Sequence, residues 1–255
     1  MASVDALVRA ADEFSVADLD LVGEPTAVTV AQRSLEESGL LLLGEVHGVR
    51  ENPLLARALM QAFGLTGLAL EWHEELAPVV ETFLASGTLA DHWLLWPGDG
   101  RITAGHLAVL AERAAPGPLE VILFDGTIGT DWSWSDRDEA MARRVLAAAP
   151  AGSRTLAVAG NAHTPTEPTE LGVPMGAWLA RQRPGVREIR IRYGGGRYYN
   201  LRPRRFSPRG PRPRQVRLHQ HNDTLILDLP DAGEAVVPQQ SKMAAACPHR
   251  TLTAA

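Results

Sequence analysis

Short apolar runs alternate with stretches whose apolar residues recur at helical spacing. The runs are Leu40 to Leu43, Gly67 to Leu70, Glu120 to Phe124, Thr155 to Ala159 and Glu188 to Tyr193. Each has the length and composition of a strand buried on both faces. Helical spacing fills the intervals: residues 3–14, Val28 to Glu37, Leu54 to Phe63, Trp72 to Phe83, Ala104 to Ala114, Met141 to Leu146 and Met175 to Gln182. Asn52-Pro53 reads as a helix start and Gly64 as its stop. Ser135 with Asp138 reads as a capping-box start. Strands alternating with helices predict an α/β fold, a mostly parallel central sheet flanked by helices in three layers. Residues 215–219 and 224–229 then predict a small C-terminal β-hairpin across His221-Asn222-Asp223. The expected organisation is an α/β domain over 1–200, an Arg/Pro-rich connection with the hairpin over 201–238, and a disordered tail over 239–255.

The polar residues that follow the apolar runs matter most. In a parallel sheet the carboxyl ends of the strands lie on one edge, where such folds place their ligands. Here those ends carry Glu45 and His47, Glu71, Asp125, and Asn161 and His163. Two of them share the pattern Gly-x-x-His (Gly44 to His47 and Gly160 to His163), which predicts that they converge on one site. Imidazoles with carboxylates can activate a water by general-base catalysis. Alternatively His47, Glu71 and His163 can hold a divalent metal ion that lowers the pKa of bound water to about 7. Sharing one metal requires the two imidazoles to lie within about 10 Å, given Zn–N bonds near 2 Å. Asp125 is either a turn former before Gly126 or part of the site, and Asn161 either a turn residue or a substrate donor. Tryptophans cluster beyond the strand ends, in 88–103 and again at Trp132 and Trp134, as a lid or pocket wall would. Candidate substrate-binding residues are therefore Arg50, Asp125, Asn161, Trp93 and Trp132. His73, Glu74 and Glu75 read as solvated, and His92 and His106 as structural.

Composition narrows the classes. The net charge is −5 and gives no overall push towards nucleic acid or membrane. The single cysteine, Cys247, allows no disulfide within the chain and sits in the polar tail, away from any nucleophile position. There is no Gly-x-Ser-x-Gly elbow. The acidic N-terminal segment lacks the pattern of a signal peptide, and no apolar run is long enough to span a bilayer. These features predict a cytoplasmic chain with a small-molecule substrate and no membrane or nucleic-acid partner. The Arg/Pro run from Arg202 to Arg217 reads as a solvated, extended linker.

Several of these motifs, in their order, resemble the erythromycin-esterase-like proteins. They are Gly44-Glu45-Val46-His47-Gly48, Leu68-Ala69-Leu70-Glu71, Arg137-Asp138 with Met141-Ala142, and Gly160-Asn161-Ala162-His163 with Met175-Gly176-Ala177-Trp178-Leu179. The likeness spans roughly residues 25 to 193 and extends to a broader set with ChaN-like haem-uptake proteins and Tiki/TraB-like proteins. It implies a hydrolase with catalytic positions Glu45, His47, Glu71 and His163. In it Glu45 and His47 activate water, His163 assists, and Glu71 orients His47 or binds a metal. The ChaN-like side implies haem or iron binding instead. The first motif is one residue shorter than the esterases' Glu-x-Thr-His form and nearer the ChaN-like and Tiki-like spacing.

Overall fold

The structure is a computed structural model. It describes residues 4–96, 98–114, 119–126, 132–207 and 211–237. The tail expected to be disordered, 239–255, lies outside these residues.

The chain order is α1 (Val4–Asp12), β1 (Val22–Gly23), α2 (Pro25–Ser38), β2 (Leu40–Glu45), α3 (Asn52–Phe63), β3 (Gly67–His73), α4 (Ala77–Ser86), α5 (Ala104–Ala114), β4 (Glu120–Asp125), α6 (Trp134–Ala148), β5 (Thr155–Gly160), α7 (Met175–Gln182), β6 (Arg187–Tyr193), β7 (Arg197–Asn200), β8 (Arg202–Arg205), β9 (Arg217–His221) and β10 (Thr224–Leu229). Eight strands form one sheet in the order β1-β9-β10-β6-β2-β5-β3-β4. Only the β9–β10 pair within it is antiparallel. The three-layer α/β architecture is the expected one.

β2 lies inside the sheet and is buried along its whole length. Side chains alternate across a strand, so Leu41 and Leu43 join the core beneath α1 to α5 while Leu40 and Leu42 join the core beneath α6 and α7. All four are 0% exposed, and full burial of a leucine contributes roughly 1.5–3 kcal/mol. That anchoring fixes where β2 ends, and so where Glu45 and His47 stand.

Three local expectations change. The C-terminal hairpin is not an appendage: β10 pairs in parallel with β6 and extends the central sheet. The arginine-rich connection is not a plain linker, because its first residues form β8, which pairs antiparallel with the preceding β7. β3 continues through a register shift after Leu70 and ends at His73. Trp72 is therefore a buried strand residue, 1% exposed, and not the start of a helix. Among the described residues no helix is long and apolar enough to cross a membrane.

Candidate active site

The sheet order explains how distant motifs meet. β2 and β5 are neighbours with Glu45 in register with Gly160, so the two Gly-x-x-His segments leave the sheet side by side. The Asn161 amide N–H donates to the Glu45 carbonyl at 2.8 Å and ties the two turns together. β3 flanks β5 on its other side and β4 follows, which lines up the ends carrying Glu71 and Asp125.

The side chains form one buried network. His47 Nδ1 lies 3.1 Å from Glu45 Oε1 and its Nε2 3.5 Å from Glu71 Oε2. The other oxygen of Glu71 lies 3.6 Å from His163 Nε2. Both imidazoles thus face opposite oxygens of one carboxylate. Glu71 Oε2 also accepts the Gly160 N–H at 2.8 Å. A Cβ on Gly160 would stand 3.1 Å from His47 Nε2, so a glycine is what lets the ring come this close to the strand.

Two arginines complete the network, and neither was among the expected site residues. Arg137 donates through Nη2 to Glu71 Oε1 and to Asp125 Oδ2, both at 2.9 Å, and through Nη1 reaches His163 Nε2 at 3.1 Å. Arg101 donates to Asp125 Oδ2 at 2.8 Å and to Asp99 at 2.7 Å. Its loop is pinned by Trp72, whose indole N–H donates to the Arg101 carbonyl at 2.9 Å. Asp138 is the third addition. Fully buried, it lies 2.8 Å from His163 Nδ1 and accepts the Met175 N–H at 2.8 Å. The capping-box expectation had hidden it. The cap of α6 is Ser133 with Asp136, which leaves Asp138 on the next turn, aimed at His163. Ser135 instead accepts the Val173 N–H. Trp134, in the first turn of α6, stacks on the His163 ring at 4.4 Å and 10°.

The electrostatics follow from this packing. Burial alone would push His47 down, but its hydrogen bonds to Glu45 and Glu71 and their charges outweigh it and hold its pKa up at about 10. Burial likewise opposes ionisation of Glu71, yet Arg101 and His47 hold it well below the usual carboxylate range. Asp125 is lowered by Arg137 and Arg101 against the same burial penalty. At neutral pH His47 is therefore a cation between two carboxylates. His163 differs: an Arg137 N–H points at its Nε2, so Nε2 presents its lone pair and the ring proton sits on Nδ1 towards Asp138. One oxygen of Glu45, Oε2, is buried without a hydrogen-bond partner.

The remaining expected residues lie elsewhere. Arg50 is 48% exposed beside Glu51, with its guanidinium over Phe14. Trp93 is 66% and Trp132 46% exposed, and Trp93 stacks on His92. Asn161 is an exposed turn residue whose recorded contact is through its backbone. Asn52 does not cap α3. Its side chain donates to the Val46 carbonyl and accepts from Tyr193, whose hydroxyl in turn accepts the Val46 N–H, so the pair braces the His47 loop. His106 is structural as expected, bonded to Thr103 and pushed down in pKa by burial.

The proposed metal ligands do not fit a metal in this arrangement. Arg137 occupies the place between Glu71, Asp125 and His163 that a bridging cation would take. Among the described residues no group of three or more His, Cys, Asp or Glu is arranged to hold one. Haem fits no better, since both ring nitrogens of His47 and of His163 already face partners.

No family model matches the chain, and no curated protein does. Among solved structures, it superposes on a Bacillus cereus protein with TM-score 0.55 and 9% identity, covering 93% of this chain and 100% of that one. The two share an α/β fold. Weaker likenesses are to chains described as bacterial protein toxins (TM-score 0.45, 19% identity, 74% of this chain) and to RRSP, a MARTX toxin effector domain from Vibrio vulnificus (TM-score 0.43, 17% identity, 75% of this chain). This chain spans 39% and 41% of the length of those two.

Proposed function

We propose that this chain is a hydrolase cleaving an ester or amide bond of a small, natural-product-like molecule with a water activated at His163. The observation that carries this reading is the buried Asp138–His163 pair, which turns the lone pair of Nε2 towards Arg137 and Glu71. The motif order that resembles the erythromycin-esterase-like proteins supports it.

The chemistry divides among the residues as follows. Asp138 keeps the proton of His163 on Nδ1 and stabilises the imidazolium that forms when Nε2 takes a proton from water. Arg137 is held by Glu71 and Asp125 through Nη2, which leaves Nη1 free to yield its place at Nε2 to that water. The oxygen of the water bonds to the substrate carbonyl carbon, and the carbonyl π electrons move to its oxygen. Arg137, Arg101 and protonated His47 supply fixed positive charge for that oxyanion in a site that excludes bulk water. As the oxyanion collapses, the bond to the leaving oxygen or nitrogen breaks, and His163 returns its proton to that atom. The free oxygen of Glu45 is an acceptor for a water or substrate hydrogen. His47 thus takes an electrostatic role instead of the base role expected for it.

The test is turnover of a panel of aryl esters and anilides by the purified chain and by its His163→Ala and His163→Gln variants. Folded variants that retain the native rate on every substrate turned over would remove His163 from the chemistry.

A further inference from the structure

The arginine-rich segment is unused by the mechanism above. From Ile189 to Asn222 the chain holds ten arginines and no acid, although the whole protein is acidic at −5. Five of the ten have carboxylate partners: Arg190 with Glu188, Arg192 with Asp228, Arg197 with Glu234, Arg212 with Asp231 and Arg217 with Glu24. Arg202, Arg204 and Arg205 on β8 have none among the described residues, and every residue of β8 is exposed. Arg205 stands directly opposite Arg197 across the β7–β8 ladder, where like charges destabilise the pair.

This hairpin docks on the site. The Tyr199 N–H donates to the Gly48 carbonyl at 2.9 Å, one residue beyond His47. The Leu201 N–H donates to the Gly98 carbonyl at 2.9 Å, on the loop that carries Arg101. Gly48 and Gly100 are joined directly by a 3.0 Å hydrogen bond, and both pack against the Tyr199 carbonyl. Gly48 has φ 75°, and a Cβ there would stand 1.8 Å from that oxygen, so the close approach demands glycine. The next residues after this junction are Leu201, 67% exposed at the turn, and the unpaired arginines. A run of exposed cations, Arg202 and Arg204 on one face of β8 and Arg205 on the other, is thus held by backbone bonds against the two loops that build the site.

We propose that the β7–β8 hairpin is the substrate-selecting rim of the site, and that Arg202, Arg204 and Arg205 bind an anionic substituent of the substrate, a phosphate or a carboxylate. This rests on the hydrolase reading for the word substrate, but the anion site itself is measurable without turnover. Three exposed guanidiniums offer charge-assisted hydrogen bonds to either group, and the pair strength falls with added salt.

The experiment uses the full chain, a R202Q/R204Q/R205Q variant and a control, R33Q/R143Q, whose arginines are exposed on α2 and α6. Calorimetry with tripolyphosphate and with hexaglutamate measures binding and separates phosphate from carboxylate recognition. In parallel, kcat/KM is compared for esters that share a leaving group but differ in a distal phosphate, carboxylate or neutral group. The expected result is that at least one anion binds the native chain and the control, and that the triple variant binds it about tenfold more weakly. The anionic-to-neutral ratio of kcat/KM falls by a similar factor, through KM. Absence of binding by both anions, or equal binding by the triple variant, overturns the proposal. Binding of duplex DNA that neither anion displaces also overturns it, since the face would then serve a nucleic acid. If no ester is turned over, the hydrolase reading fails, and calorimetry alone decides the anion site.

Discussion

Asp138→Asn is the sharpest probe of the site, because at constant size it removes one charge and turns one acceptor into a donor. The native carboxylate accepts from His163 Nδ1 at 2.8 Å and from the Met175 N–H at 2.8 Å. The asparagine is isosteric. Its carbonyl oxygen keeps the Met175 bond, which leaves its NH2 facing Nδ1. An amide N–H there needs an acceptor, so the ring proton moves to Nε2. That nitrogen loses the lone pair with which it accepts a proton, and its new N–H faces Arg137 Nη1 at 3.1 Å, donor against donor. Reversing the tautomer of a catalytic histidine in this way costs roughly 10³–10⁴ in rate, or about 4–5.5 kcal/mol of barrier. The donor clash in a buried site costs roughly 1–3 kcal/mol of stability. The rate is read as kcat/KM at pH 7 on the best ester, the tautomer from the nitrogen shifts of His163 by NMR, and the fold from the thermal midpoint. A folded variant that keeps more than a tenth of native activity, or whose His163 still carries its proton on Nδ1, refutes the assignment of His163 as the base.

Arg137→Gln leaves Glu71 and Asp125 sharing only Arg101, and breaking a buried ion pair in this way costs roughly 3–5 kcal/mol; Arg137→Lys keeps the charge but not the fork, so chemical denaturation should place it between Gln and native. His47 is protonated in the fold up to about 10, against 6.5 in the unfolded chain. Its contribution is therefore complete below pH 6.5 and lost as pH rises towards 10; a native stability profile flat over that window, or no flatter in His47→Gln, contradicts the ion-pair assignment. Gly48→Ala forces a Cβ into the Tyr199 carbonyl at a positive φ, with a strain cost of about 1–3 kcal/mol and faster amide exchange at Tyr199 and Leu201; unchanged exchange there would separate the hairpin from the His47 loop. Because Arg137 bridges the carboxylates where a cation would stand, a chelator should leave the rate unchanged, and recovery of a chelated sample by added zinc would restore the metal reading.

The strand pattern carried most of the fold, because runs such as Leu40 to Leu43 are buried on both faces and leave no other reading. It also placed Glu45, Glu71, Asp125 and His163 on one edge, since a parallel sheet brings all its carboxyl ends together. What escaped was set by partners that no local pattern encodes. Arg101 sits in an irregular loop whose position depends on an indole from β3. Arg137 and Asp138 lie in the first turns of a helix, where a charge reads as a cap or a solvated face. The true cap at Ser133 and Asp136 satisfies the same spacing rule two residues earlier. Only the pairing of Arg137-Asp138 with the later Gly-Asn-Ala-His motif marked them. The hairpin was hidden because proline and arginine are poor strand formers, and its pairing is held by backbone bonds to Gly48 and Gly98.

The roles of the two histidines, alike in sequence, are separated by what each one's Nε2 meets. His47 reaches back two residues to Glu45, at the end of its own strand, and then across to Glu71, so carboxylates bracket the ring and a proton is retained. His163 meets Asp138 at Nδ1, and at Nε2 the Arg137 guanidinium at 3.1 Å stands nearer than Glu71 at 3.6 Å. The Arg137 N–H beside Nε2 marks that atom as the one carrying the lone pair, while Asp138 takes the proton of Nδ1, so the ring is oriented to accept a proton at Nε2. The same Arg137 that faces His163 Nε2 also pairs with Glu71 and Asp125. Displacing its Nη1 with a water therefore brings the nucleophile to Nε2 without uncovering a buried carboxylate, since Nη2 stays in place. One side chain thereby couples access to the lone pair of the base to the arrival of its substrate water.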